Sequence, residues 1–196
     1  MTDDLFQKQL LKAYKSGVTN DMSKKSRSFF RENAKRLVVR GRLTEQVSKD
    51  RLKSQVTLGR LYFFYYDPKT KDKLPYYDRL PLVFPFAPYR NGFLALNLHY
   101  LPPILRAKLF DALYETASND KLNDKTKLRL SYNKLMMASK YRFFKPCLKR
   151  YLTSHVKSRF IEIEPAEWNT ALMLPVADFQ KAKAREVWKQ SILKSV

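Results

Sequence analysis

The sequence predicts an α+β fold, in which a small antiparallel sheet or partly open barrel is flanked by helices and follows a basic N-terminal helical arm. Two observations support this fold class. Aromatic and β-branched runs separated by proline and glycine fill the middle of the chain, as is typical of short strands. Segments on either side carry apolar residues at helical spacing. We therefore divide the 196 residues into an arm over residues 1–56 and a single α+β domain over residues 57–196.

The composition indicates a folded protein with a packed core. Hydrophobic residues make up 44% of the chain and aromatic residues 14%, and burying them offsets the entropy lost on folding. The single cysteine, Cys147, excludes a disulfide scaffold and a cysteine-based zinc site. Neither a bilayer-length apolar run nor a signal peptide is evident, so we expect a reducing compartment and no membrane partner.

Positive charge is the strongest signal in the composition. Lys and Arg number 39 against 18 Asp and Glu, which gives a net charge of +21. Residues 1–56 hold 14 basic and 6 acidic residues, a net of +8, and residues 117–160 hold 12 and 2, a net of +10. Residues 161–196 are neutral, with 5 of each sign. Charge segregated in this way predicts a polyanionic partner, chiefly DNA, with acidic protein surfaces as the alternative.

The arm is predicted to contain a helix over residues 1–16, ended by Gly17, and a second helical segment over residues 23–36. Phe29 and Phe30 interrupt its basic run. Interleaved aromatic and basic residues grip single strands by stacking and charge, but we favour an amphipathic helix that buries the Phe pair. The nucleic-acid-binding candidates here are Lys24, Lys25, Arg27, Arg31, Lys35 and Arg36.

Three strands are expected in the first half of the domain. VTLGRLYFFYYDP over residues 56–68 is rich in aromatic and β-branched residues. LVFPF over residues 82–86 contains Pro85, which indicates an edge or a bulge. A turn at residues 90–92 leads into GFLALNLHY over residues 92–100. We expect these strands to form one antiparallel sheet or a small barrel.

The next segments read as helices. Two prolines open a helix over residues 104–118, whose buried stripe is predicted to be Leu105, Leu109, Ala112 and Leu113. A second helix is predicted over residues 128–140. A third, KPCLKRYLTSHVKS over residues 145–158, is amphipathic, with Leu148, Tyr151, Leu152 and His155 on one face. We expect the cations on its other faces to contact phosphate groups, namely Lys145, Lys149, Arg150 and Lys157.

The C-terminal part is predicted to add two strands and a helix. RFIEIEP over residues 159–165 and NTALMLPV over residues 169–176 read as strands, with a turn or short helix at PAEW between them. DFQKAKAREVWKQSIL over residues 178–193 reads as a helix capped by Asp178.

The proline-rich segment LPYYDRLPLVFPF is the most distinctive feature of the sequence. Its Tyr76 and Tyr77, beside Arg79, fit a surface that stacks on bases or anchors an interface. A rigid, proline-braced loop whose tyrosines cover the sheet explains them equally well. Both interpretations stay open.

No complete catalytic or metal-binding constellation is recognisable. The two histidines, His99 and His155, have no carboxylate support in the sequence and read as packing or hydrogen-bonding residues. On the predicted helix, Cys147 lies too far from His155 for contact, so it reads as a small buried residue. Ion pairing and turn capping explain the three carboxylates that a nuclease would need as metal ligands, Asp67, Asp72 and Asp78. We predict no enzymatic activity, no metal and no cofactor.

Three blocks of sequence resemble small basic proteins of T4-like contractile-tailed bacteriophages, known as DNA end protector proteins or as virion proteins. The blocks are GRLYFFYYDPKTKDKLPYYDRLPLVFPF, GFLALNLHYLPPILRAKLFDAL and FKPCLKRYLTSHVKSRFIEIEPAEWNTALMLPV. The resemblance covers most of residues 59–176 and includes DMSKKSRSFFRE in the arm.

The resemblance implies a component of the virion or of its assembly in the host cytoplasm. Such a protein would act at the end of the packaged genome near the portal and neck, with other virion proteins as partners. Shielding a DNA terminus needs charge contacts to phosphates and no base readout. The alternative is a structural tail, neck or baseplate protein that binds acidic protein partners and not DNA.

Overall fold

The computed structural model describes residues 15, 49–102, 105–106, 109, 112–113, 115–116, 119–168, 171 and 177–193. Lys15 is helical and exposed. The remainder of the predicted arm helices lies outside the described residues, and so do six of the nucleic-acid-binding candidates, Lys24, Lys25, Arg27, Arg31, Lys35 and Arg36.

The described residues form an α+β fold around an open six-stranded antiparallel sheet. Its strands are β1 (Leu52–Lys53), β2 (Leu61–Phe63), β4 (Leu82–Tyr89), β5 (Gly92–Asn97), β6 (Leu148–Leu152) and β7 (Phe160–Ile163), in the order β1-β7-β2-β4-β5-β6. A separate two-stranded ribbon pairs β3 (Tyr77–Asp78) with β8 (Phe179–Gln180). The predicted antiparallel arrangement is therefore confirmed, without closure into a barrel.

The three strands predicted in the first half are confirmed as adjacent strands of this sheet. The β4 strand pairs with β2 on one side and with β5 on the other. Its register shifts between Pro85 and Ala87, so Pro85 marks a bulge within an interior strand and not an edge. Residues 90 and 91 form the predicted turn between β4 and β5.

An aromatic cluster packs against one face of the sheet, and the sheet curves around this cluster. Tyr66 forms an antiparallel bridge with Val156, and the N–H of Lys157 donates to the carbonyl of Tyr65 at 2.8 Å. These contacts join the chain after β2 to the chain after β6. Phe64 lies at the centre of the enclosed rings and contacts four of its aromatic neighbours edge-on, namely Tyr66, Phe93, Tyr151 and Phe160.

The other face packs against helices. Helix α1 (Asp124–Lys140) contains the predicted segment and begins four residues earlier, because Asn123 Oδ1 accepts the N–H of Thr126 at 2.9 Å. Helix α2 (Ala184–Leu193) also packs here, through the fully buried Val187. Residues 105–116 are helical wherever the structure describes them. Leu109 and Leu113 are buried there as predicted, but Ala112 is exposed.

Three local predictions are wrong. Residues 145–158 do not form a helix, because residues 148–152 pair with β5 as strand β6, between 3₁₀ turns at Arg142–Cys147 and Thr153–His155. Ala171, predicted in a strand, is helical. Helix α2 starts at Ala184 and not after Asp178, since β8 pairs with β3 and Lys181 has a φ of 68° that no right-handed helix accommodates.

The predicted strand over residues 159–165 is confirmed as β7, and PAEW begins with a 3₁₀ turn at Pro165–Glu167. Among the described residues, no helix is both long and apolar enough to span a bilayer.

Candidate nucleic-acid interface

Strand β6 forms one edge of the sheet and carries two of the predicted phosphate contacts. Because successive strand residues point to opposite faces, Lys149 and Arg150 project in opposite directions. The single basic helix face expected from the sequence therefore does not exist. Instead, the four predicted cations of residues 145–157 have different neighbours and different exposure.

Arg150 lies at the tip of the β4–β5 hairpin. Its Nη2 donates to Asn91 Oδ1 at 2.8 Å, and its guanidinium carbon lies 4.9 Å from the centroid of the Tyr89 ring. Gly92 is the residue of β5 that separates Tyr89 from β6. It carries no side chain that would obstruct the approach of Arg150 to the ring, and a Cβ there would lie 1.9 Å from the carbonyl oxygen of Tyr151. A glycine is therefore required for this cluster to form.

Lys149 is half-buried, and its Nζ lies 4.1 Å from the centroid of the Tyr100 ring. Tyr100 also contacts Tyr76 at 6.0 Å and Phe179 at 5.1 Å between centroids. Tyr76 is thus packed against the domain, which agrees with the interpretation of the tyrosine loop as a cover over the sheet. An ammonium that lies on an aromatic cluster can contact phosphate only at its exposed side.

The other residues of the tyrosine loop also have partners within the protein. Tyr77 is part of β3 and pairs with Gln180. The guanidinium of Arg79 binds Asp178 Oδ2 at 2.7 Å and lies 5.9 Å from the ring centroid of Tyr65. Arg79 is therefore neutralised, which weakens its prediction as a phosphate contact.

Lys145 and Lys157 are exposed. Lys145 lies in the 3₁₀ turn before β6, and Lys157 follows the bridge to Tyr66. Within the described part of the chain, no carboxylate forms an ion pair with either lysine. Both ammonium groups are available for an external anion.

Carboxylates gather away from β6. A groove of about 580 Å³ lies beside β7, β2 and the start of α1. Four acidic side chains and two basic ones line it, namely Asp120, Asp124, Glu162, Glu164, Arg60 and Lys127. Two of these carboxylates are ion-paired, Glu162 with Arg60 and Glu164 with Arg51, so the groove combines both signs of charge.

A buried polar network behind Tyr100 was missed by the sequence analysis. Asp78, 4% exposed, accepts His99 Nδ1 at 2.7 Å, Asn97 Nδ2 at 3.1 Å, and the N–H groups of Leu80 and Asp178 at 3.0 and 3.1 Å. Apart from Leu80, two residues away, the members lie 19, 21 and 100 residues from Asp78, so local spacing does not signal the network. The interpretation of His99 as a hydrogen-bonding residue is confirmed.

The network holds Asp78 ionised and His99 neutral. Burial alone would raise the pKa of Asp78, but His99 and the hydrogen bonds bring it below its ordinary value. Burial lowers the pKa of His99, and Asp78 compensates only in part. The ring Nε2 has no hydrogen-bond partner among the described residues, which also favours the neutral form with its proton on Nδ1.

Two further buried groups adjoin this network. Arg106, 4% exposed, donates from Nε to the carbonyl of Leu101 at 2.8 Å, and its guanidinium lies 5.5 Å from the centroid of the Trp188 indole. Burial lowers the pKa of Arg106 to about 10. Cys147 is buried as predicted, and burial raises the pKa of its thiol to about 12, so it is a packing residue.

Lys181, which lies outside the lysine-rich loop between β2 and β3, holds that loop in place by hydrogen bonds. Lys181 Nζ donates to the carbonyls of Lys71, Asp72 and Leu74 at 2.8, 3.1 and 3.1 Å, which uses all three of its N–H bonds. Asp67 pairs with Lys71 at 3.1 Å, as the ion-pairing interpretation predicts. Among the described residues, no group of three or more His, Cys, Asp or Glu side chains is arranged to hold a metal ion.

Comparison with known proteins gives one match. The family model described as Phage T4 terminal DNA protecting protein matches residues 3–194. No curated protein and no solved structure shows a significant match to the chain. The match confirms the resemblance to T4-like phage end protectors inferred from the sequence blocks. Because it spans nearly the whole sequence, the chain belongs to the phage T4 terminal DNA protecting protein family.

Proposed function

We propose that this protein binds the end of a linear phage genome without sequence preference and shields it by contact alone, with no bond made or broken. The family match over residues 3–194 carries the proposal. We place the protein in the virion, near the portal and neck, and in the host cytoplasm during assembly.

The charge distribution supports this function physically. A net charge of +21 attracts the phosphate backbone and makes the binding depend strongly on salt. The exposed Lys145 and Lys157 have no carboxylate partner among the described residues. These two lysines precede and follow β6, so we expect DNA to approach this edge of the sheet.

Binding to linear DNA tests the proposal directly. We expect affinity for a blunt duplex to fall steeply as salt rises, and to exceed the affinity for a covalently closed circle of the same sequence. An exonuclease should degrade the bound linear duplex more slowly than the free one. Equal affinity for linear and circular DNA would remove the end-binding part of the proposal.

Charge-reversal variants test which surface of the protein binds DNA. The double variant Lys145→Glu/Lys157→Glu should weaken DNA binding by at least tenfold and reduce its salt dependence. The matched control is Lys183→Glu/Lys189→Glu, because both lysines are exposed and lie in the neutral C-terminal block. An equal loss in both variants would show that only total charge matters.

The alternative of a tail, neck or baseplate protein with acidic protein partners predicts a different outcome. In that case the purified protein would bind DNA poorly at physiological salt but would co-purify with a virion subcomplex. Imaging of intact particles with the protein labelled would then place it away from the genome terminus.

A further inference from the structure

The tip of the β4–β5 hairpin combines an exposed aromatic ring with positive charge. Tyr89 is 47% exposed. Among the described residues, one other large aromatic side chain is exposed, that of Tyr141, at 58%. Most rings elsewhere in the domain are packed into the aromatic cluster or the helix-covered core. An exposed aromatic ring is therefore uncommon among the described residues, and Tyr89 supplies one of the two.

The ring is held in a defined position. Tyr89 is the last paired residue of β4, opposite Gly92. Arg150 stacks on one side of the ring at 4.9 Å, and Asn91 fixes that guanidinium through a hydrogen bond of 2.8 Å. Arg90, in the turn itself, is exposed. The Tyr89 ring and the Arg150 guanidinium, which already contact each other, lose little conformational entropy on binding.

The strands that build the tip contain no carboxylate. Residues 79–110, which include β4 and β5, have neither Asp nor Glu, and residues 125–161, which include β6, have none either. An approaching phosphate therefore meets no like charge from these strands. A tip of this composition fits a polyanion that also offers an aromatic face.

We infer that the hairpin tip meets the blunt end of duplex DNA, with the Tyr89 ring against the terminal base pair and Arg90 and Arg150 beside the flanking phosphates. The inference rests on the proposed function and assigns it a surface. Only a terminus exposes the flat face of a base pair, because every interior pair is covered on both sides. A stacking contact there distinguishes an end from continuous duplex without reading its sequence.

The inference replaces the earlier assignment of base stacking to the tyrosine loop. Tyr76 packs against Tyr100 and Phe179, and Tyr77 lies in the β3–β8 ribbon. Both side chains are less exposed than that of Tyr89.

Binding of the full-length protein to two DNAs tests the inference. One is a blunt duplex with 2-aminopurine in its terminal pair, and the other is a dumbbell of the same sequence whose ends are closed by loops. The wild-type protein should prefer the blunt duplex and change the 2-aminopurine fluorescence. Tyr89→Ala should reduce affinity for the blunt duplex by about 5- to 100-fold, as expected for the loss of one stacked base, with little effect on the dumbbell.

Two variants keep the result interpretable. Tyr89→Phe retains the ring and should retain the preference for the blunt duplex. Tyr141→Ala removes a still more exposed tyrosine from the end of α1 and should leave the preference unchanged. Circular dichroism and thermal melting confirm that each variant is folded.

The outcomes separate the inference from the proposed function. Wild-type protein that binds neither DNA overturns the proposed function and the inference with it. Wild-type protein that prefers blunt ends, with Tyr89→Ala unchanged, overturns the inference alone. Loss of a protein partner in Tyr89→Ala, with DNA binding intact, would assign the tip to a protein interface and also overturn it.

Discussion

His99 donates its Nδ1 proton to Asp78 inside the domain, at 2.7 Å, with both side chains almost completely shielded from solvent. The contact joins the ribbon strand β3 to the chain after β5 and thereby fixes the tyrosine loop to the sheet. The Asp78 carboxylate, which accepts four hydrogen bonds, and the neutral His99 imidazole form a buried pair whose stability depends on pH.

We expect acid to destabilise the protein through His99. The buried ring has a lowered pKa and stays neutral, whereas the ring in the unfolded chain takes up a proton below about pH 6.5. The unfolded state then binds more protons, so the free energy of unfolding falls by up to about 1.4 kcal/mol per pH unit below that value. Chemical denaturation at pH values from 7 to 5 measures this fall in the free energy of unfolding. His99→Asn keeps a donor for Asp78 and should remove this component.

Asp78→Ala should be strongly destabilising. The change leaves four donors without their acceptor. It also removes a negative charge that stabilises the buried guanidinium of Arg106. We expect a loss of about 4 kcal/mol in the free energy of unfolding. The exposed Asp72→Ala is the matched control and should change stability by less than about 0.5 kcal/mol. Similar stabilities for the two variants would contradict the importance of the network.

Gly92→Ala should separate β6 from β5. The new methyl group would lie 1.9 Å from the Tyr151 carbonyl oxygen, a backbone atom that cannot rotate away. We expect a cost of about 3 kcal/mol in unfolding free energy, together with faster hydrogen exchange at the β6 amides. Asn91→Ala changes the same turn but adds no clash, and its cost should stay below about 1 kcal/mol.

Lys181→Met should release the lysine-rich loop between β2 and β3. The ammonium bridges three carbonyls of that loop, and their loss lowers the free energy of local opening. Trypsin should then cleave after Lys69, Lys71 or Lys73 about tenfold faster, as measured by mass spectrometry. Lys183→Met, an exposed neighbour, should leave the cleavage rate as in the wild type. An unchanged rate in both variants would show that the loop is held by other contacts.

Native protein should react slowly with thiol reagents at pH 8. Cys147 is fully buried, and with a pKa of about 12 only about one thiol in ten thousand is ionised at that pH. Unfolding in guanidinium should restore the rate of a free cysteine. Fast labelling of the folded protein would show that the 3₁₀ turn before β6 opens readily.

The sequence predicted those elements whose signals are local. Aromatic runs indicated β2, β4 and β5, and Pro85 indicated the bulge, because a proline cannot donate to the neighbouring strand. The segment LRLSYNKLMMASK indicated most of α1, although not its first turn. The position of Cys147 in the core followed from its chemistry.

The errors arise where pairing between distant segments decides the structure. Leu148, Tyr151 and Leu152 have helical spacing, but the register with β5 makes this segment an edge strand. Asp178 reads as a helix cap from its neighbours, yet Arg79, which lies 99 residues earlier, binds its carboxylate. The cluster of Tyr89 and Arg150 likewise exists only because the sheet brings together residues from opposite halves of the chain.

The position of β7 has a consequence for synthesis on the ribosome. This strand lies between β1 and β2, so β1 lacks its partner β7, and β2 is paired only with β4, until residues 160–163 have emerged. One edge of β2 therefore stays without its β7 partner until almost the whole chain is made, which slows completion of the sheet and makes a nascent chain prone to mispairing. A transcript truncated before Phe160 would yield a product without a completed sheet.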